Sequence, residues 1–561
     1  MREASASAKP SSTDTSASKA RVALLVAVAI AAGICLLPIL AVFFAATTSG
    51  TETLLHLAET RLSRFIGNTL ILVGAVAIGT ALIGTGAAWL VTMTRFPGVR
   101  FFEVALILPL AFPAYVLAYA YTDFLDHPGL VQTTLRDVMG WGPRDYWFPE
   151  IRSVGGAAAM LTLVLYPYVY LLARGAFLQQ SGALLLTART LGHGSVSAFL
   201  RVALPMARPA IAGGVLLAVM ETIADFGTVS YFGVPTFATG IYQSWFSMSD
   251  RGAAAQLAFC LLSFALFIAL LERSQRGAAR HHDKTGRFSD APAVELHGAR
   301  AIVAAAFCAL PVLLGFVLPV VLLFSMGIGS EQNLLSDRYL GFIQNSLILA
   351  SVAAVATVVA AVVLSFAVRL LRTPAVRAAR EIARIGYAVP GGVIAVGLLV
   401  PFAALDNSID RMAETLLGVS TGLLITGSIS VLVAAYMVRF MAAALNTVDS
   451  GFATIDPKMD AVARTLGHSP WDILRTVHVP ILAPSLLTAL LIVFIDVLKE
   501  LPATLIMRPF NFDTLAVQAH RLASDERLAG AAVPSLVIVA LGLLPVILVC
   551  RSVRRQRYRS N

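Results

Sequence analysis

The chain has 561 residues, of which 58% are hydrophobic and 13% charged, and its mean hydropathy is +0.80. Soluble domains carry about a quarter charged residues, so a water-soluble globule is excluded and the chain reads as a membrane protein. Its formal net charge of +10 is spread over short loops with no nucleic-acid motif beside it, so membrane topology explains the charge better than nucleic-acid binding does.

In chain order, residues 1–21, MREASASAKPSSTDTSASKAR, are rich in Ser, Ala and Thr and predict a disordered tail. About 20 helical residues cross a hydrocarbon core of roughly 30 Å. Twelve stretches meet that length: 22–46, 69–91, 102–122, 154–174, 208–226, 253–271, 301–326, 345–368, 380–404, 420–440, 480–498 and 530–550. Helices are expected because lipid-exposed backbone must be hydrogen-bonded within its own segment. The first run is longer than a signal-peptide core and no small-residue cleavage site closes it, so it predicts a retained span. The polar segment 272–300 reads as a linker, and its His281 and His282 as part of a solvated charge run without partner ligands. Cys35, Cys260, Cys308 and Cys550 fall inside spans as small buried hydrophobes. Residues 551–561 form a basic tail.

An even number of spans puts both ends on one side of the membrane. That side carries 30 of the 42 Lys and Arg, among them Arg369, Arg372, Arg377, Arg380 and Arg384, so both termini are expected in the cytoplasm.

The two halves repeat each other. ARTLGH stands at Ala188–His193 and again at Ala463–His468, 275 residues on; Pro205 and Pro480, Glu221 and Asp496, and Asp225 and Glu500 keep that spacing. Asn68 and Asn345, and Pro113 and Pro390, stand 277 apart. A near-constant spacing predicts two six-helix units in tandem, 22–271 and 301–550, related by an axis along the membrane normal.

Each hexamer reads as the start of a helix–glycine–helix elbow, with Gly192 or Gly467 as the backbone break. Val196, Phe199 and Leu200, and Trp471, Leu474 and Arg475, fall on one face of the second helix, which Pro205 and Pro480 are expected to interrupt. Two matched elbows favour docking onto a two-fold partner. Glu221, Asp225, Asp496 and Glu500, with Lys499, cluster at the ends of two spans. Ionisable groups at membrane depth face a cavity or a partner, so the four acids are candidates for a cation pathway or gate, against a purely structural role as helix-end anchors. Pro113, Pro390, Gly391 and Gly392 predict kinks or close helix approach. No GxxxxGK[ST] loop occurs and the chain has five lysines, so energy must come from another subunit or from an ion gradient. The histidines are scattered and no catalytic or metal-ligand constellation stands out.

With these residues in place, the chain resembles the permeases of binding-protein-dependent ABC importers, specifically the fused, double-length iron(III) permeases of bacteria. The resemblance implies an all-α polytopic fold of two tandem six-helix permease units. In that family a coupling elbow in each half reads Glu-Ala-Ala, three residues, Gly. Here Ala188 and Gly192, and Ala463 and Gly467, match; Leu186 and Ala461 replace the glutamate, and Thr187 and Val462 the first alanine. The resemblance places Ala188, Gly192, Phe199, Pro205, Ala463, Gly467, Leu474 and Pro480 in coupling. Met220–Trp245 and Asp496–His520 look like the signature segments of the iron(III) branch. The implied partners are two copies of a cytoplasmic ATPase carrying ATP and Mg, an extracytoplasmic binding protein and the lipid bilayer of the inner membrane. No cofactor on this chain and no catalysis by it are expected. Thiamine and phosphonate importers have related permeases; a secondary cation or metabolite transporter, the alternative from another class, gives no reason for two matched elbows.

Overall fold

Lipid offers the backbone no hydrogen-bond partner, and the chain meets this with helices. The computed structural model describes residues 12–50, 52–179, 194–279, 294–330, 332 and 336–559. The main helices are α1 (Ser12–Thr48), α2 (Ser63–Met93), α3 (Ala114–Leu125), α4 (Val154–Gln179), α5 (Leu204–Ala224) and α6 (Arg251–Ala279) in the first half. The second half has α7 (Ala299–Ile328, with an inserted π-turn), α8 (Asp337–Leu371), α9 (Gly391–Leu417), α10 (Ser430–Phe452), α11 (Val479–Leu498) and α12 (Leu528–Arg559).

Among the described residues ten helices are long and apolar enough to span, and an eleventh counts if the bent pair Val99–Ala111 and Ala114–Met139, at 92°, is one span. The twelfth expected span lies in α12, whose described apolar stretch, Leu528–Leu543, is shorter. The third and ninth spans do not begin where the hydropathy placed them. Phe112 and Val389 are extended, with ψ of 133° and 115°, because a following proline disfavours the helical region. Pro113 and Pro390 therefore start new helices, α3 and α9, and the charged stretch ahead of α9 is a separate helix, Pro374–Ile385. The tail is shorter than expected, since α1 is helical from Ser12; residues 1–11 lie outside the described residues. The linker is shorter too: α6 runs to Ala279, and Val294–Glu295 pairs in parallel with Thr94–Arg95 as a two-residue bridge onto the first half.

Two bundles form the core, α2 with α4 and α5, and α8 with α10 and α11. The remaining helices cross over: α1 and α6 pack on α9, while α7 and α12 pack on α3. Repeat units and packing units therefore differ. Gly397 permits one crossing. A Cβ there would lie 2.7 Å from the Cα of Pro38 and collide with its carbonyl oxygen, so α9 and α1 meet backbone to backbone.

Several repeated letters acquire a structural reason. Asn68 donates to the carbonyl of Pro235 at 2.9 Å and Asn345 to that of Asp513 at 3.1 Å, each holding the loop between two short helices. One symmetric contact is inverted in charge: Glu103 meets Arg174 at 3.8 Å, and at the equivalent positions Arg380 meets Asp449 at 3.5 Å. The bridge is retained while its poles exchange.

Candidate functional site

Where the two halves meet, a cavity of about 100 Å³ is lined by α4 and the ends of α5 and α11, with Pro113, Tyr115 of α3 and Arg439 of α10. Glu221, Asp225, Asp496 and Glu500 all face it. The repeat brings the four predicted acids together, two from each half.

Their roles then separate. The Asp225 carboxylate accepts from the backbone N–H of Thr228 at 3.1 Å and Val229 at 3.2 Å, at the start of the short helix Gly227–Tyr231. Glu500 does the same for Ala503 at 3.0 Å and Thr504 at 3.2 Å, in helix Pro502–Met507, and also accepts from the Thr504 hydroxyl at 3.0 Å and from Tyr436 at 3.3 Å. A helix start exposes unbonded N–H groups and a positive dipole end. Much of the bonding capacity of Asp225 and Glu500 is committed to that work. Glu221 and Asp496 carry lighter obligations: Tyr387 donates to Glu221 at 3.2 Å, and Lys499 lies 2.8 Å from Asp496.

Sequence reasoning missed Arg439. It stands near the middle of α10, with 12% of its side chain exposed, 3.8 Å from Glu221 of the first half and 3.9 Å from Glu500 of the second. The repeat-equivalent position is Val164, so no symmetric partner drew attention to it. Gly391 closes over this group: a Cβ would sit 2.7 Å from both Arg439 Nη1 and Glu500 Oε1. Of the two sequence readings of Gly391, kink or close approach, the structure selects close approach.

The second elbow is described in full. Helix Pro457–Thr465 ends at Leu466, and Gly467 takes φ +85°. The N–H of His468 reaches the carbonyl of Ala463 at 3.1 Å and that of Gly467 reaches Arg464 at 3.0 Å, the paired closure of a Schellman motif. Gly467 is thus fixed by backbone geometry. Ser469 then caps Pro470–Ile473, accepting from Asp472 N–H. Ala188 and Gly192 lie outside the described residues.

Two expectations about the elbows are corrected. Leu474 is buried in the core, together with Ile473, whereas the exposed apolar side chains are Met459, Val462, Leu466 and Trp471. Leu474 faces the bundle because the elbow's second helix runs on into α11. Nor do Pro205 and Pro480 interrupt a helix. Each follows a π-turn, Phe199–Ala203 or Leu474–His478, and sits in the first turn of α5 or α11. The wider turn accommodates the missing proline N–H. Phe199 is half-buried against Trp89 and Phe177, with ring centroids 4.7 and 6.3 Å away.

In the second half the equivalent residues, Phe366, Phe452 and Leu474, are apolar too, and a polar cluster is added beside them. Asp460 accepts from Arg369 Nε at 2.6 Å and, through its other oxygen, lies 2.7 Å from His478 Nε2, which the carboxylate requires to donate. Arg369 also donates to the carbonyls of Phe452 and Ile455, and the His478 ring packs on Phe366 and Phe452. The elbow is therefore latched to α8 and to the foot of α11. Elsewhere Arg152, paired with Asp126 of its own half at 3.1 Å, bridges to Glu526 of the other half at 2.8 Å, and its hydrogen bonds hold the Glu526 carboxyl below the usual range.

Residues 80–280 and 366–558 each match the family described as "Binding-protein-dependent transport system inner membrane component". The chain belongs to this family. It is a multi-pass transport permease with the family unit duplicated in tandem. It is similar to the Fe(3+)-transport system permease protein FbpB 2 of Haemophilus influenzae, 26% identical over 91% of this chain and 94% of that one. Over shorter segments it resembles the molybdenum transport system permease protein ModB of Escherichia coli, 28% identical over 36% of this chain and 86% of that one. The putative 2-aminoethylphosphonate transport system permease protein PhnV of Salmonella typhimurium is 29% identical over 28% of this chain and 53% of that protein.

Proposed function

We propose that this chain is the membrane permease of an ATP-driven, binding-protein-dependent importer of ferric iron. The observation that carries the substrate reading is the convergence of Glu221, Asp225, Asp496 and Glu500, two acids from each repeat, on one cavity between the halves. Hard cations are favoured by carboxylate oxygens, and the relative matching nearly the full length is named for Fe(3+) transport. The elbows lie on the cytoplasmic side, as do both termini, in the inner membrane. Two ATPase subunits, which hold ATP and Mg, dock beneath them. A binding protein delivers the ligand from the other face. Closure of the ATPases pushes the elbows, and the latched second elbow passes the displacement to α8 and α11. The chain itself performs no covalent chemistry; transport is a population shift between two membrane conformations.

A second reading, import of an oxyanion, is favoured by Arg439 and Lys499 within the cavity. ATP-dependent uptake by the reconstituted complex, comparing ferric iron with 2-aminoethylphosphonate, thiamine and molybdate, separates the readings. Uptake without ATP by the isolated chain would instead identify a secondary transporter. Combining Glu221→Gln with Asp496→Asn is expected to lower ferric uptake about tenfold, equivalent to ~1.4 kcal/mol of lost cation stabilisation, while ATP hydrolysis continues. Unchanged uptake would remove these acids from the pathway. At the elbow, Trp471→Ala is expected to weaken ATPase binding roughly 30-fold, about 2 kcal/mol for an exposed aromatic anchor; titration of solubilised permease with the ATPase checks this.

A further inference from the structure

We propose that Arg439 is a tethered counter-ion, occupying the cation position between Glu221 and Glu500 while the pathway is empty and giving way when substrate arrives. The proposal rests on the cation reading of the cavity. Its guanidinium stands between a carboxylate of each half, at 3.8 and 3.9 Å. These are ion-pair distances without the short, bidentate geometry by which arginine makes a fixed structural clamp. Nη1 has no hydrogen-bond partner among the described residues, although an unbonded buried donor is costly. A loosely held charge beside a cavity can move at low cost, unlike Arg369, which is fixed by three hydrogen bonds.

The repeat sharpens the point. The acids come in symmetric pairs, but both cations on the cavity wall, Arg439 and Lys499, come from the second half, where the first has Val164 and Ala224. Lys499 is three residues from its partner Asp496 on the same chain segment. Of these two cations Arg439 is the one that stands against acids of both halves, so movement of the halves apart must separate it from one acid. Without it, four carboxyl groups face one lysine and the cavity attracts small cations that have no binding protein to deliver them. Arg439 thereby determines specificity: it keeps the empty pathway closed to free ions.

The test uses the complete permease–ATPase complex in calcein-loaded liposomes, with Mn²⁺ outside, no ATP and no binding protein. Wild type is expected to stay tight, and Arg439→Gln to admit Mn²⁺ roughly tenfold faster, as a barrier lowered by about 1.4 kcal/mol would allow. Adding Glu221→Gln to Arg439→Gln restores the balance of charge and should restore tightness. Arg439→Gln as tight as wild type would overturn the proposal, and so would a leaky double variant, which also serves should the single variant fail to assemble. Ferric uptake of Glu221→Gln, measured alongside, tells the failures apart. If that variant transports normally, the cation pathway itself is wrong. If it loses uptake while Arg439→Gln stays tight, the pathway stands and Arg439 is no gate.

Discussion

Asp460→Ala is expected to let the assembled complex hydrolyse ATP while uptake falls, and to lower the melting temperature of the solubilised permease. The carboxylate joins the elbow to Arg369 and His478, whose side chains are 15% and 1% exposed. Removing one member of a buried ionic cluster costs about 3 kcal/mol, because the remaining charge is left unpaired. Arg369 Nη2 and His478 Nδ1 already lack hydrogen-bond partners among the described residues, so the site has little capacity to compensate. The same cluster gives a pH signature. Burial pushes the Asp460 carboxyl up, but hydrogen bonds from Arg369 and His478 outweigh it and hold the group below its ordinary 3.8. A carboxyl lowered by folding contributes stability above its unfolded value and loses it as pH falls through the folded one. Wild type should therefore lose this contribution below about pH 4, and the variant should lack that part of the acid transition. Melting curves and coupled ATPase–uptake assays from pH 3 to 7, where assembly permits, check both claims. Tight coupling in the variant would show that the latch is not the transmitting element.

Gly397→Leu is expected to unseat α1 from α9 and destabilise the protein. Its Cβ position is already occupied by the backbone of Pro38, which cannot rotate aside as a side chain does. Overpacking typically costs 1–3 kcal/mol, and a backbone obstacle argues for the upper end, ~3 kcal/mol. The expected result is a lower melting temperature and loss of uptake. Gly33→Leu on α1, where a Cβ meets nothing within 4 Å, supplies the control and should melt with wild type. If Gly397→Leu also does, α1 is not seated on α9.

What could be read in the letters were features that the repeat doubles or that a single residue fixes. Asn68 and Asn345, Pro113 and Pro390, and Asp225 and Glu500 stood out because they occur at matched positions, and each pair proved to be a matched contact or helix start, whereas Glu221 and Asp496 match in sequence but meet different partners. Gly467 was legible because a left-handed backbone after a helix needs glycine. Arg439 was not, for the opposite reason: it breaks the symmetry, and it falls at the edge of the expected span 420–440, where an arginine suggests a boundary. Hydropathy also placed the third and ninth spans wrongly, since a sliding average of apolarity is blind to the extended residue that a proline imposes on its predecessor. Leu474 was placed in coupling by resemblance and on one face with Trp471 by helical spacing; which side of a periodic helix is the inner one depends on how α11 continues from the elbow. The exchange of α1 and α6 for α7 and α12 left no trace in the pattern, because an apolar helix surface reads alike whether it meets lipid or another helix.

That exchange bears on how the protein is made. Gly397 is synthesised about 360 residues after Pro38, so at roughly 5–20 residues per second α1 is in the bilayer for about 20–70 s before its partner exists. Its long apolar run, with Val22, Leu25, Val26 and Ile30 still exposed in the finished molecule, lets it wait as a solitary lipid-embedded helix. Joining both repeats in one chain keeps that helix tethered to the nascent α9, making its capture an intramolecular event that does not depend on how many permeases the membrane holds.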